Sequence, residues 1–147
     1  MIQIREMTLD DIDEVAVLEE QTFSRPWSRE GIFSFLIRQD VLLLVAQENE
    51  KIMGYCGVMT VLDEGDITNV CVAEHARRRG IASALVQEII ARTEEQGIHT
   101  LHLEVRKSND AAISLYEKAG FVKDGCRKGY YESPTEDAVL MSRRVEK

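Results

Sequence analysis

Proline, cysteine and long apolar runs are all scarce in this sequence. Of its 147 residues, two are proline and three are cysteine. Cys56, Cys71 and Cys126 are odd in number and form no CxxC pair, which argues against a disulfide framework or a structural zinc site. We therefore expect three reduced thiols and no metal ion.

No apolar stretch of the sequence reaches the roughly 18 residues that a membrane-spanning helix requires. Its first residues also lack the basic start and apolar core of a secretory signal peptide. We therefore expect a cytoplasmic protein that does not enter a membrane. The formal net charge of -8 at pH 7 argues against direct nucleic-acid binding and favours cationic partners, such as a basic peptide or an amine. The oligomeric state stays open.

The composition is that of one globular domain. Hydrophobic residues make up 44% of the chain and charged residues 30%, and a chain of this length can bury one sizeable core. We therefore expect residues 1–147 to form a single domain. Alternating apolar residues and β-branched runs predict strands at 2–5, 41–47, 52–62, 66–72, 100–105, 121–127 and 137–143.

Two helices are predicted between the first two strands. Thr8 and Asp11 have the spacing of a capping box, with Asp in place of Glu, and so predict a helix start. The predicted buried face of this helix carries Leu9, Ile12, Val15 and Ala16. Ser28 is placed to cap the second helix, and Pro26 and Trp27 fall in the loop between the two.

Two further helices alternate with strands in the second half of the chain. The third runs from about residue 80 to residue 96 and is followed by Gly97, a typical terminating residue. The fourth is capped by Asn109 or Ser108 and is stopped by Gly120. This alternation from residue 66 to residue 120 predicts a parallel strand pair inside a mixed sheet, with helices covering its faces.

An arginine cluster precedes the third helix in the run Arg77-Arg78-Arg79-Gly80-Ile81-Ala82. Cations at a helix start oppose the positive end of the helix dipole, at about 0.3 to 1 kcal/mol per charge, unless an anion binds there. A solvated basic turn is the alternative, but the acidity of the chain as a whole favours an anion site. The sequence has neither GxxxxGK[ST] nor GxGxxG, so it does not predict ATP or dinucleotide binding.

This run and the order of the elements resemble the GNAT acetyltransferases, whose coenzyme A signature is Arg/Gln-x-x-Gly-x-Gly/Ala. Ala82 stands where many members have glycine. The resemblance covers nearly the whole chain, and it extends to the RimI-type group, which acetylates the N-terminal alanine of a ribosomal protein. The segments that recur in that group's order are 103–109, 115–116, 120–121 and 127–131. The implied fold is α/β (α+β), with a mixed, mostly antiparallel sheet of about seven strands, a splayed parallel pair and about four flanking helices.

The resemblance implies acetyl-CoA as the co-substrate and no metal. In the family the pantetheine arm lies between two splayed parallel strands, which here are 66–72 and 100–105. Backbone amides at the start of the third helix, together with the arginines, would hold the pyrophosphate. The implied cofactor-binding residues are Val70, Cys71, Val72, Arg77, Arg78, Arg79, Gly80, Ile81, Ala82, Ser83 and Asn109.

Two residues are candidates for proton transfer. Strand alternation places Glu104 and His102 on one face, opposite Leu103. On the residues alone, Glu104 is equally a surface carboxylate or a general base, and Tyr116 is more simply a half-buried core aromatic with a wet hydroxyl. The resemblance implies that Glu104 is the base and that Tyr116 is the acid for the departing thiolate. Cys71 lies in an apolar strand without a base nearby in sequence, so packing is favoured over a nucleophilic role.

The acceptor side is marked by aromatic residues in predicted loops. Phe23, Trp27, Tyr130 and Tyr131 could wall a peptide groove, although packing of Phe23 and Trp27 against the sheet is an equal alternative. The resemblance implies direct transfer of acetyl to the N-terminal α-amine of an alanine-starting ribosomal protein. A GNAT enzyme acting on lysine side chains or small amines, and a non-catalytic acyl-CoA-binding partner protein, stay open as alternatives.

Overall fold

The computed structural model describes residues 1–23, 25–132 and 134–145, with the side chain of Asn69 left aside. In this part of the chain one sheet of seven strands runs in the order β1-β2-β3-β4-β5-β7-β6. All neighbours are antiparallel except β4 and β5, which are parallel. The strands are β1 (Gln3–Glu6), β2 (Val41–Glu48), β3 (Lys51–Val61), β4 (Glu64–Val72), β5 (Thr100–Arg106), β6 (Val122–Tyr131) and β7 (Glu136–Arg144).

Four α-helices cover the sheet: α1 (Ile12–Thr22), α2 (Arg29–Leu36), α3 (Ile81–Glu95) and α4 (Asp110–Lys118). α1 packs on one face, where Glu19 contacts Tyr55 of β3. The neighbouring Gly54 points the other way, toward Leu85 of α3, so α3 covers the opposite face. α4 shares that face with α3, because Arg143 of β7 donates to the ends of both helices. The predicted fold, with its parallel pair and four helices, is confirmed.

Local capping signals set where the helices begin. The Thr8 N–H donates to Asp11 Oδ2 at 2.7 Å, as the predicted capping box requires. The Gly31 N–H donates to Ser28 Oγ at 3.1 Å, and the Ala112 N–H donates to Asn109 Oδ1 at 3.2 Å. Of the two candidate caps for α4, Asn109 is therefore the one used.

The prediction that Leu9 lies on the buried face of the first helix is wrong. Leu9 is 60% exposed, whereas Val15 and Ala16 are buried as predicted. Residues Leu9–Asp11 form a 3-10 turn before α1 begins. A 3-10 turn has three residues per turn, so the spacing that would bring Leu9 onto the buried face of an α-helix does not apply there.

The hydrophobic core lies on both faces of the strands in the middle of the sheet. β2 and β3 carry consecutive buried residues rather than an alternating pattern, because α1 and α2 cover one face and α3 the other. The largest fully buried apolar side chains include Tyr55, Phe121, Ile32, Leu44, Leu85 and Ile89. Each such side chain stabilises the fold by about 1.5 to 3 kcal/mol relative to exposure. Among the helices of the described residues, none is long and apolar enough to cross a membrane.

The parallel strands β4 and β5 are paired for only part of their length. Their register couples Glu64 with Thr100 and ends where Asp66 meets His102. Just beyond, the register of β4 with β3 shifts, because three steps along β4, from Ile67 to Val70, oppose two steps along β3. A bulge of this kind bends and twists its strand. β4 therefore turns away from β5 and opens a gap in the sheet.

Candidate active site

The gap between β4 and β5 leads into a cavity of about 930 Å³. It is walled by the segment between α1 and α2, by β4 and β5, by the start of α4, and by the β6–β7 connection. The sequence-predicted residues that line it are Phe23, Trp27, Val70, Glu104, Asn109, Tyr116, Tyr130 and Tyr131. The tertiary structure thus brings candidate cofactor, acceptor and catalytic residues to one place.

Glu104 reaches the cavity from the face of the sheet that α3 and α4 do not cover. Its neighbours Leu103 and Val105 are each 5% exposed and point to the opposite, helix-covered face. The Glu104 side chain is 33% exposed, and its Oε1 lies 3.9 Å from Arg127 Nη1. A hydrogen bond with this carboxylate raises the pKa of Tyr130. Glu104 is therefore a partly solvated carboxylate that lies close to a hydrogen-bond donor, Tyr130, and to a cation, Arg127.

An aromatic wall stands beside Glu104 at the end of β6. The rings of Tyr130 and Tyr131 meet edge to face, with centroids 5.1 Å apart. The guanidinium of Arg127 lies 5.1 Å from the Tyr130 ring, and that of Arg106 lies 4.6 Å from the Tyr131 ring. Burial, followed by the nearby Glu104 charge, raises the pKa of Tyr131 to about 12. Both phenols therefore stay neutral near pH 7 and can donate hydrogen bonds.

Tyr116 approaches the same cavity from α4. It is 8% exposed, and its ring packs edge to face against Phe121 with centroids 5.8 Å apart. Burial raises the pKa of Tyr116 well above its usual value, since the charged phenolate is disfavoured in a dry environment. Tyr116 is thus a core aromatic that also lines the cavity.

His102 and Cys71, which were also considered from the sequence, contact other residues. His102 Nε2 lies 2.6 Å from Glu64 Oε1, so this imidazole pairs with β4. Cys71 is 1% exposed, and its Sγ lies 3.3 Å from Thr22 Oγ1. Burial raises the pKa of the Cys71 thiol to about 11, so a thiolate nucleophile is disfavoured at this position. Cys71 packs in the core, as favoured from the sequence.

The turn before α3 has the backbone of an anion cradle. Arg78 and Gly80 both adopt left-handed conformations, with φ of 66° and 78°. The N–H groups of the first helical turn, from Ile81 to Ser83, lack intrahelical acceptors in any helix. That turn contains no acidic residue, and a Cβ built on Gly80 would meet no atom within 4 Å. The turn is therefore open and fits a phosphate group.

The three arginines of this turn differ in their contacts. Arg79 donates two hydrogen bonds to the Glu48 carboxylate, at 2.9 and 2.7 Å, and lowers the pKa of Glu48. Arg77 Nε donates to the Val72 carbonyl at 3.4 Å. Across the described residues, Arg78 has neither a hydrogen-bond nor an ion-pair partner. Arg78 is therefore the arginine whose charge is least compensated by the protein itself.

The remaining predicted cofactor residues follow β4 into the gap. Val70 lines the cavity and Val72 is half-buried. Within the described residues, the backbone of β4 has no β5 partner beyond Asp66, so its N–H and C=O groups on that side are available to an extended ligand. Thr68 Oγ1 is buried there and has no hydrogen-bond partner in the part of the chain that the structure describes. These features fit a polar, extended group such as a pantetheine arm.

Several cavity residues were not predicted from the sequence. Arg25 and Glu132 form an ion pair of 2.5 Å that joins the α1–α2 segment to the β6–β7 connection. Glu136 accepts from the Ser108 N–H at 2.6 Å and holds the chain between β5 and α4. These contacts link residues far apart in sequence, and no local pattern signals them. In the described part of the chain no group of His, Cys, Asp and Glu side chains is placed to hold a metal ion.

Comparison with known proteins agrees with this geometry. Residues 12–121 match the acetyltransferase (GNAT) family. The [ribosomal protein bS18]-alanine N-acetyltransferase of Escherichia coli K12 is 33% identical over 144 residues, covering 97% of each chain. The protein of that name from Haemophilus influenzae is 36% identical over 135 residues, covering 90% of this chain and 91% of its own.

The fold of this chain is also close to a solved structure. The crystal structure of the ribosomal-protein-S18-alanine N-acetyltransferase from Escherichia coli superposes with a TM-score of 0.93 at 32% identity. The match covers 100% of this chain and 96% of that one. The similarity therefore includes every element that surrounds the cavity.

Proposed function

The chain belongs to the GNAT acetyltransferase family, and we propose that it transfers the acetyl group of acetyl-CoA to the N-terminal α-amine of a protein. The proposed acceptor is a ribosomal protein that begins with alanine, because the E. coli and H. influenzae relatives are ribosomal protein bS18-alanine N-acetyltransferases. A cytoplasmic location belongs to the same proposal. The two buried cysteines, free of disulfides, agree with a reducing compartment.

One observation carries this proposal: side chains from both faces of the sheet line the same cavity. Glu104 enters it from the face with the aromatic wall, and Tyr116 enters it from the face covered by α3 and α4. A donor held against α3 and an acceptor held against the aromatic wall would meet in the gap between β4 and β5. This arrangement supports direct transfer between two substrates bound at the same time.

The residues present fit acetyl-CoA, which supplies an acetyl group activated as a thioester. The open turn from Arg77 to Gly80, with the first N–H groups of α3, would hold the pyrophosphate. The unpaired backbone of β4 would align the pantetheine arm along the gap, and Asn109 lines the cavity farther along. These contacts would hold acetyl-CoA in the cavity that Glu104 lines, which would turn an encounter of two molecules into a reaction within one complex.

Glu104 has the chemistry of the general base. A free α-amine has a pKa of about 7.7 to 8.0, so most of it is protonated at neutral pH and cannot attack a carbonyl. Glu104 removes that proton, directly or through one water. Its side chain is 33% exposed, so water can reach the carboxylate and relay the proton.

Tyr116 has the chemistry of the general acid. It donates its phenolic proton to the sulfur as the carbon–sulfur bond breaks, so that a neutral thiol leaves. Burial raises the pKa of Tyr116, which keeps the proton on the phenol across the physiological range. A free thiol titrates near 8.5 and an ordinary phenol near 10, so the phenol is the weaker acid of the two. Burial disfavours a charged thiolate in this site as it disfavours a phenolate, which favours protonation of the sulfur as it departs.

The net charge of the chain, -8, supports a cationic acceptor. Glu104, Glu132 and Glu136 all line the cavity, but each lies within ion-pair distance of an arginine, so the attraction comes from the acidic surface of the whole chain. An N-terminal ammonium on a basic protein is attracted by such a surface, and the attraction weakens as salt is added. The aromatic residues Trp27 and Tyr130 would contact the apolar parts of the first side chains.

The experiment uses two peptides of the same basic sequence. One begins with a free alanine, and the other has a blocked N-terminus but keeps an internal lysine. Incubation with acetyl-CoA and intact-mass analysis should add one acetyl group to the free peptide alone. Acetylation of the blocked peptide would point to a lysine acetyltransferase instead, and absence of turnover despite CoA binding would point to a non-catalytic acyl-CoA-binding protein.

A further inference from the structure

Glu19 is a fully buried carboxylate that has no part in the proposed chemistry. It lies on α1 and is 0% exposed. Its Oε1 accepts a hydrogen bond from the Trp27 backbone N–H at 2.9 Å, and its Oε2 accepts one from the Tyr55 hydroxyl. A buried carboxylate is costly unless hydrogen bonds satisfy it. Its presence here therefore calls for a role that an apolar side chain could not fill.

The bonds of Glu19 fix both ends of one wall of the cavity. The Phe23 N–H donates to the backbone carbonyl of Glu19 at 2.9 Å, and the Trp27 N–H donates to its side chain. Phe23 and Trp27 both line the cavity. A single residue thus holds the start and the end of the segment that faces the aromatic wall on β6.

The same carboxylate ties that segment to the middle of the sheet. Tyr55 belongs to β3 and is 0% exposed, so its hydroxyl is a fixed point in the core. From this anchor the Trp27 ring extends to Phe35 of α2, with centroids 5.1 Å apart. Arg25, two residues earlier, reaches across to Glu132. A shift of Glu19 would therefore move the whole acceptor side of the cavity relative to β4 and β5.

We propose that Glu19 is a positioning residue for the acceptor: it holds the Phe23 and Trp27 wall at the distance from Glu104 that the acceptor N-terminus requires. This inference rests on the proposed function for its kinetic consequence. The cofactor turn before α3 lies on a different loop from the Phe23 and Trp27 wall. The effect should accordingly fall on the acceptor and spare CoA.

The test is Glu19→Leu, which is close to the original side chain in size but has no hydrogen-bond acceptor. The Trp27 N–H and the Tyr55 hydroxyl then both lose their Glu19 partner. A glutamine would not serve, because its oxygen can accept from Trp27 while its NH2 group donates to the Tyr55 hydroxyl. We expect the KM for an alanine-starting peptide to rise at least fivefold, with kcat and the Kd for CoA within twofold of wild type. Such a split would not arise from a general loss of folded protein.

Trp27 gives a second readout, because it is the single tryptophan of the chain. Its fluorescence therefore reports on this wall alone. In Glu19→Leu we expect emission at longer wavelength and stronger quenching by acrylamide, since the released segment exposes the indole to water. This measurement needs no acceptor, so it decides the anchoring even if the peptide is not a substrate and the proposed function fails.

Two matched variants separate positioning from stability. Glu20→Leu makes the same change one residue along α1, where the side chain is exposed, and should leave both readouts at wild-type values. Tyr55→Phe removes the core partner but keeps the Trp27 bond, so it should lower Tm while the acceptor KM rises less than in Glu19→Leu. The proposal is overturned if Glu19→Leu has wild-type acceptor KM and Trp27 emission. It is also overturned if the acceptor KM rises equally in Tyr55→Phe for the same loss of Tm.

Discussion

Glu104 and Tyr116 line the same cavity but enter it from opposite faces of the sheet. Glu104 projects from β5 on the face opposite α3 and α4, with a third of its side chain exposed. Tyr116 projects from α4 and is almost completely buried. The gap between β4 and β5 brings the two side chains to one cavity. The difference in solvation suits the roles proposed for them, because a base must stay ionised and an acid must keep its proton.

Glu104→Gln removes the proposed base without changing the size of the side chain. We expect kcat for the alanine-starting peptide to fall by about 10²- to 10⁴-fold, the usual contribution of a positioned base. The Kd for CoA should stay within twofold, since Glu104 lies on the face away from the phosphate turn. Steady-state kinetics and calorimetry would check this. A variant with wild-type kcat would show that Glu104 is a surface carboxylate.

Tyr116→Phe removes the proposed acid and keeps the ring packed against Phe121. We expect a loss in kcat of about 10²-fold or more, with a small change in Tm. Because burial raises the pKa of Tyr116, the wild-type enzyme should show no loss of kcat near pH 10, where an ordinary tyrosine ionises. An alkaline decline of kcat centred near pH 10 that disappears in Tyr116→Phe would contradict the burial argument.

Arg78→Ala should weaken CoA binding more than Arg79→Ala. Arg79 already donates two hydrogen bonds to Glu48, which compensates its charge, whereas Arg78 has no such partner among the described residues. A phosphate should therefore gain more from Arg78. Calorimetric titration at low and high salt would show a larger loss, and a larger drop in salt dependence, for Arg78→Ala. Equal losses of CoA affinity in the two variants would indicate that Arg79 leaves Glu48 and binds the ligand.

The buried thiol of Cys56 should make the fold sensitive to alkali. Burial raises the pKa of Cys56 to about 12, whereas an unfolded thiol titrates near 8.5. Between these values the unfolded chain loses a proton that the folded chain keeps, so the free energy of unfolding decreases as pH rises. Below about pH 8.5 the folded and the unfolded chain both keep this proton, so the Cys56 thiol does not lower the free energy of unfolding there.

Denaturant unfolding at pH 7.5 and at pH 10 would measure this decrease. It should be smaller in Cys56→Ala than in the wild-type chain, because the alanine carries no titrating group. Cys126→Ala is the control, since Cys126 is exposed on β6. An unchanged pH dependence in Cys56→Ala would assign the alkaline sensitivity to other groups, such as the buried tyrosines.

Gly57→Ala should disturb the bulge that opens the sheet. A Cβ at this position would collide with the Leu43 side chain and would lie 2.7 Å from Thr68 Oγ1. Overpacking of this kind costs about 1 to 3 kcal/mol of stability. Because Thr68 lines the cavity, we also expect weaker binding of CoA. Gly31→Ala is the control: its Cβ would meet only Ser28 Oγ at 3.4 Å, and Tm should be unchanged or higher.

The elements of the fold could be read from local patterns because local forces form them. The capping residues Thr8, Ser28 and Asn109 act within three residues of their partners, and each makes the predicted bond. The seven strands also lie where alternation placed them. β6 runs to Tyr131 rather than ending at residue 127, because Gly129 adopts φ of 62° and the register with β7 shifts there. Such a bulge leaves no periodic signal.

Contacts between distant segments could not be read in the same way. The pairing of Arg79 with Glu48, of Arg25 with Glu132 and of Glu19 with Trp27 depends on how helices and hairpins pack. From the sequence alone, each of these charged residues would be predicted to lie on a solvent-exposed face. Composition and spacing carry no information on which of many carboxylates a given arginine will meet.

By itself the sequence determined the order of strands and helices, the anion-binding turn before α3, and the alternation that sets Glu104 apart from its apolar neighbours. These follow from hydrogen bonds and side-chain periodicities that act over a few residues. Only the tertiary structure decided that β4 leaves β5 after Asp66, that Tyr116 and Glu104 therefore share one cavity, and that a buried Glu19 holds its wall. Those relationships arise from packing between segments far apart in the chain, where burial and charge compensation select one arrangement among many.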